Sequence, residues 1–107
     1  MSWFYLTVAG LLEIVWAISL KQSDGFSKFV PAVLSVTTMI ASVIFLALAL
    51  RGLPVGTAYA VWTGIGAVGV ATVGILWLNE PATLGRILCI ALIAAGIVGL
   101  KLLSRSE

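Results

Sequence analysis

The sequence contains no histidine and a single cysteine, Cys89, in 107 residues. Without a second thiol no internal disulfide can form. Without histidine or a cysteine cluster no dedicated transition-metal site is expected. Charge is scarce as well. Lysine, arginine, aspartate and glutamate make up 9% of the chain, against roughly 25% in soluble domains. The net charge is +2 and the basic residues are scattered, so there is no concentrated basic face for nucleic acid. Hydrophobic residues make up 62%, more than a chain in water could cover with polar surface. The solvent that fits this composition is a bilayer.

The few charges divide the chain. Residues 3–20 hold one, Glu13, residues 29–50 and 53–78 hold none, and residues 82–103 hold Arg86 and Lys101, each near an end. A membrane-spanning helix needs roughly 20 apolar residues at ~1.5 Å of rise each. The pattern therefore predicts an all-α membrane protein with four transmembrane helices over these ranges, one transmembrane domain covering 1–107. The linkers at 21–28, Arg51-Gly52 and Asn79-Glu80-Pro81 carry turn residues. Pro31 and Pro54 are expected in first helical turns, where a missing N–H costs little. The first segment lacks a basic leading stretch and has an acid mid-run, unlike a cleaved signal peptide. Arg86 and Lys101 are close enough to segment ends to snorkel to headgroups.

Four such helices make a thin bundle, too thin to enclose a substrate pathway alone, so an oligomer is expected. With the termini on one side, that side holds Arg51, Lys101 and Arg105, and the other Lys21, Lys28 and Arg86. Balanced positive charge gives no preferred orientation. A chain that inserts both ways can form an antiparallel dual-topology homodimer, equivalent to the inverted repeats that larger transporters carry in one chain.

Glu13 lies ten residues after Trp3, about 15 Å along the axis, close to the middle of a core roughly 30 Å thick. An ionised acid there costs at least ~2.5 kcal/mol. A buried cation could offset that, but no lysine or arginine falls at comparable depth. The carboxylate is therefore read as functional, binding a cation or holding a proton. Its helix face carries Gly10 and Trp16 at three residues either side, with Ala9 and Ala17 at four. Helix 3 places Tyr59, Trp62 and Gly66 on one face. Tyr59 and Trp62 are too deep for the interfacial aromatic belt, and their polar atoms need partners, for which a carboxylate is a good acceptor. Ser42 is a further donor, although a serine in a membrane helix often bonds its own preceding turn. Gly64 and Gly66 form a hinge or close-approach pair. On helix 4, Ala91, Ala95 and Gly99 make a small-residue stripe fit for helix contact. An anionic site with deep aromatics suits a cation, and a planar guanidinium can pair bidentately with a carboxylate. Competition between cation and proton for one carboxylate would couple two fluxes.

At these residues the sequence closely resembles the small multidrug resistance family of bacterial inner-membrane transporters. The landmarks are Trp3, Ala9-Gly-Leu-Leu-Glu13, Trp16-Ala17, Lys21, Gly25-Phe26, Pro31, the continuous stretch Leu53-Pro-Val-Gly-Thr-Ala-Tyr-Ala-Val-Trp-Thr-Gly-Ile-Gly66, and Gly96-Ile-Val-Gly-Leu-Lys101. The resemblance implies an antiparallel dimer that exchanges protons for cations at Glu13, in a multi-pass protein of the inner membrane with no cofactor and no enzymatic activity. Trp16, where the drug-exporting subtype has a small residue, together with Pro54-Val-Gly-Thr57 and the Gly-Leu-Lys101 tail, resembles the guanidinium-exporting subtype. The implied partners are guanidinium, protons, membrane lipid and a second copy of the chain. By the same resemblance Trp16, Ser42, Tyr59 and Trp62 form a hydrogen-bonded network around Glu13, while Lys101 matches the subtype without a legible role. The competing readings are an exporter of quaternary ammonium or other lipophilic drug cations, a small dual-topology ion channel, a chaperone-like membrane factor and one half of a heterodimer.

Overall fold

The computed structural model describes residues 1–103; Arg105, counted above among the charges of one side, lies outside the described residues. Four α-helices follow one another, α1 (Ser2–Gln22), α2 (Phe29–Ala49), α3 (Val55–Trp77) and α4 (Leu84–Leu103). Each is long and apolar enough to cross a membrane. Pro31 falls in the first turn of α2, as expected. Pro54 does not lie inside α3. Its backbone is extended (φ −61°, ψ 145°) and it caps the helix, which starts at Val55. A proline ring fixes φ but leaves ψ free, so this residue turns the chain into the helix from outside it.

The short connections force neighbouring helices antiparallel. Between α1 and α2, Asp24, Gly25 and Phe26 all have positive φ (49°, 70° and 68°). Only glycine adopts this region without strain, so the turn needs support. The buried Ser23 supplies it, its hydroxyl donating to the Leu20 carbonyl (2.7 Å) and accepting the Phe26 N–H (3.1 Å). Between α3 and α4, Asn79 also has positive φ, and the N–H groups of Leu78 and Glu80 both donate to the Gly74 carbonyl.

The helices lie side by side in the order α2, α1, α3, α4. The chain measures 43 × 34 × 16 Å. A single helix is about 10–12 Å across, so this is a layer one to two helices thick and not a closed bundle. Leu6, Ala49, Leu53, Ala58 and Val61 form its buried centre, flanked by Trp3, Trp62 and Ile65. No residue of α4 is buried.

Close approach rather than bulk brings α1, α3 and α4 together. A Cβ at Gly10 would meet Ile65, one at Gly69 would meet Ile14, and one at Gly64 would meet Ile97. Small residues allow such approach in membranes, where dispersion contacts replace the hydrophobic drive. Gly85 and Gly99, by contrast, face open space within the chain. Gly69→Val should therefore lower the stability of the detergent-solubilised protein by about 1–3 kcal/mol, read as an earlier denaturant midpoint, whereas Gly85→Ala should leave the midpoint unchanged or raise it.

Candidate functional site

Two kinds of hydroxyl bonding recur in these helices. Thr7, Thr37, Thr38, Thr63 and Thr72 each donate to the carbonyl four residues earlier in their own helix, the usual solution in an apolar medium. Ser35 and Ser42 of α2 cross to α1 instead. Ser35 donates to the Trp16 carbonyl (3.0 Å) and Ser42 to the Ala9 carbonyl (2.6 Å). Seven residues separate the donors and seven the acceptors, so two antiparallel helices are pinned in register at two points two turns apart. Both serines are buried. Glu13 lies between the two pinned carbonyls, four residues after one and three before the other. Ser35 carried no signal in the sequence that set it apart from a back-bonding serine.

Ser42 has a second role. The Trp62 indole N–H donates to its oxygen (2.9 Å), giving a chain from Trp62 through Ser42 to the backbone of α1. Sequence reasoning offered Trp62 the carboxylate as acceptor. The structure gives it Ser42, because that hydroxyl spends its proton on Ala9 and keeps its lone pairs free. Tyr59 is 56% exposed and lies against the Trp62 ring, centroids 5.6 Å apart at 57°. Its hydroxyl does not reach Glu13 within one chain by any hydrogen bond among the described residues.

The Glu13 carboxylate rests directly on α3 at Gly66, where a Cβ would meet its Cδ at 2.8 Å. α3 is an unbroken helix through Gly64 and Gly66, and both glycines serve as contact points, Gly64 for Ile97 and Gly66 for Glu13. A cavity of about 430 Å³ opens beside the acid. Glu13, Trp16 and Ala17 of α1 line one wall, and Thr63, Gly66, Ala67, Val70 and Ala71 of α3 another. Glu80 and Arg86 also line it, a pair that sequence reasoning assigned to a turn and to the headgroups. Their side chains join in a salt bridge of 2.6 Å.

Three buried side-chain nitrogen or oxygen atoms lack a hydrogen-bond partner among the described residues: Trp3 Nε1, Glu13 Oε2 and Trp16 Nε1. Such atoms are rare because each forfeits its hydration without replacement. Two of the three belong to residues of the Glu13 cavity. One is an acceptor and one a donor, a pair of unmet valences on neighbouring turns of α1.

Elsewhere, Ala91 and Ala95 of α4 are exposed and Gly99 has open space beside it, so the small-residue stripe is uncovered in the single chain. Lys101 sits with its ammonium 4.6 Å from the centre of the Trp3 ring. This cation–π contact places the last turns of α4 beside the first of α1.

A half-buried acid in a layer of four membrane-spanning helices, at a cavity lined by an indole, is the site expected of a small polytopic transporter of cations. The profile of the family described as Small Multidrug Resistance protein matches residues 1–93, and the chain belongs to that family, as a multi-pass protein of the bacterial inner membrane. It is similar to the guanidinium exporter of Yersinia pseudotuberculosis, 59% identical over 104 residues, which is 97% of this chain and 100% of that one. It is similar also to the guanidinium exporters of Citrobacter freundii and Salmonella typhimurium, each 58% identical over 102 residues, 95% of this chain and 97% of theirs. These relatives are named as exporters.

Ser42→Ala would strand the Trp62 N–H and free the Ala9 carbonyl. The folded state should weaken by about 0.6–2 kcal/mol, the range for hydrogen bonds within membranes. Indole fluorescence of a variant retaining Trp62 as its single tryptophan should shift on the same substitution.

Proposed function

We propose that the chain exports guanidinium across the inner membrane in exchange for protons, working as an antiparallel homodimer with Glu13 as the shared binding group. The observation that carries this reading is the buried, unpartnered Glu13 oxygen at the cavity, in a chain nearly 60% identical to proteins named guanidinium exporters. Guanidinium offers planar paired N–H donors that match a carboxylate edge. Glu13 accepts the cation or a proton, not both, and that exclusion links the two fluxes. Gly66 supports the carboxylate from behind, while Trp16 supplies an aromatic wall and an unmet N–H. The Trp62–Ser42–Ala9 chain fixes the helix that carries the acid, with Gly10 giving α1 its approach to α3. A quaternary ammonium cation has no N–H to offer, gaining charge and aromatic contact alone.

The geometry of one layer supports the dimer. Within a single chain the cavity lies between α1 and α3, and a layer 16 Å thick has no second wall to close over it. A second copy, inverted, would supply that wall. The stripe Ala91, Ala95 and Gly99 gives it an open contact face, and flexing of α3 at Gly64 and Gly66 would accompany the exchange of access.

Purified protein in liposomes should drive guanidinium uphill on a proton gradient and transport tetraphenylphosphonium far less. Glu13→Gln should abolish the coupled flux with the protein still eluting as an intact dimer. Uphill guanidinium transport by Glu13→Gln, or equal wild-type transport of both cations, would overturn the assignment.

Dual insertion has a separate readout. The described charges place Arg51 and Lys101 at one end and Lys21, Lys28 and Arg86 at the other, a weak bias. Reporters for each side of the membrane, fused to the carboxyl terminus, should both give signal. A terminus on one side alone would refute the inverted pair.

A further inference from the structure

Two carboxylates, not one, lie on the cavity. Each rests on a glycine of α3. Gly66 backs Glu13, and Gly74 backs Glu80, where a Cβ would meet the Glu80 Cδ at 2.7 Å. The glycines are eight residues apart, about 12 Å along the helix. Gly66 is near mid-span and Gly74 three residues from the end of α3. The cavity therefore runs from an inner acid at the membrane centre to an outer acid at its mouth, with Val70 and Ala71 as apolar wall between.

The outer acid already holds a guanidinium group. Arg86 Nη2 donates to Glu80 Oε1 at 2.6 Å, with the two side chains 35% and 40% exposed. The turn holds Glu80 there, since its N–H is bonded to the Gly74 carbonyl (3.0 Å). Arg86, in the first turn of α4, has a long stem that can swing to the headgroups. A site that accepts the guanidinium of an arginine has the charge and the acceptor geometry to take free guanidinium.

We propose that Glu80 is a second, outer docking carboxylate for guanidinium at the mouth of the Glu13 cavity, and that Arg86 is a tethered competitor which holds it until the substrate displaces it. The displaced arginine leaves a positive charge at the mouth, behind a cation that has the Glu13 carboxylate ahead of it. This inference rests on the guanidinium-exporter reading and assigns a specificity-determining pair to that same pathway.

The test is guanidinium transport by purified protein in liposomes, with KM and kcat resolved for wild type, Glu80→Gln, Arg86→Gln and the double variant. Glu80→Gln should raise KM roughly two- to fivefold, the range set by ion pairs of partly exposed groups. Arg86→Gln should lower KM by a similar factor, because the competitor is gone. The double variant should match Glu80→Gln, since Arg86 acts through Glu80. A purely structural salt bridge would move both single variants in the same direction, and that result overturns the proposal, as does an unchanged KM in Glu80→Gln. If Glu80→Gln does not assemble, Arg86→Gln decides alone, a raised or unchanged KM overturning the proposal. Absence of guanidinium transport by the wild type would instead remove the exporter reading itself.

Discussion

The pair of serine hydrogen bonds from α2 to α1 is the constraint on which the site depends. An isolated acid in the middle of a membrane helix is free to rotate with its helix and to slide along its neighbours. Ser35 and Ser42 remove that freedom by bonding the carbonyls of Trp16 and Ala9, one on each side of Glu13. With α1 held in rotation and depth against α2, its opposite flank is presented to α3, where Gly10 meets Ile65 and Glu13 meets Gly66. The hydrogen bonds are modest individually. Their spacing matters more, since two fixed points define a register and one does not.

The same arrangement separates support from function. Trp62 and Ser42 complete each other's hydrogen bonding within the chain, whereas Glu13 Oε2 and Trp16 Nε1 are left incomplete. The Trp62–Ser42 pair, satisfied between helices, forms a fixed wall, and the Glu13 oxygen and Trp16 N–H left unmet are open to a ligand. Preorganisation of this sort lowers the ordering cost of binding, which matters for a ligand as small as guanidinium.

Much of this was legible in the sequence because a bilayer restricts the alternatives. Charge-free runs of about 20 residues fix the number of helices, and a lone acid at mid-span picks out the candidate centre. Helix ends were less legible. Pro54 could open α3 from inside or cap it from outside, and only the backbone settles that it caps. Side-chain partners were least legible, since they depend on helix rotation. The Trp62 donor found Ser42 and not the carboxylate, and Ser35 found a carbonyl on another helix where five threonines bond their own. The Glu80–Arg86 pair lies outside the apolar core of the pattern, so its place on the cavity emerged only with the turn that folds it back over Gly74.

The glycines under the two carboxylates also constrain how such a protein can diversify. Any amino-acid change at Gly66 or Gly74 adds at least a Cβ, and at both positions that atom would land on a carboxylate. Every missense change at a glycine codon is of this kind, so each step away from either position must move the carboxylate that rests there. Natural variation in which cations are carried can instead enter through the other lining residues, Trp16, Thr63, Ala67, Val70 and Ala71, whose side chains can grow, shrink or change polarity while both acids stay seated.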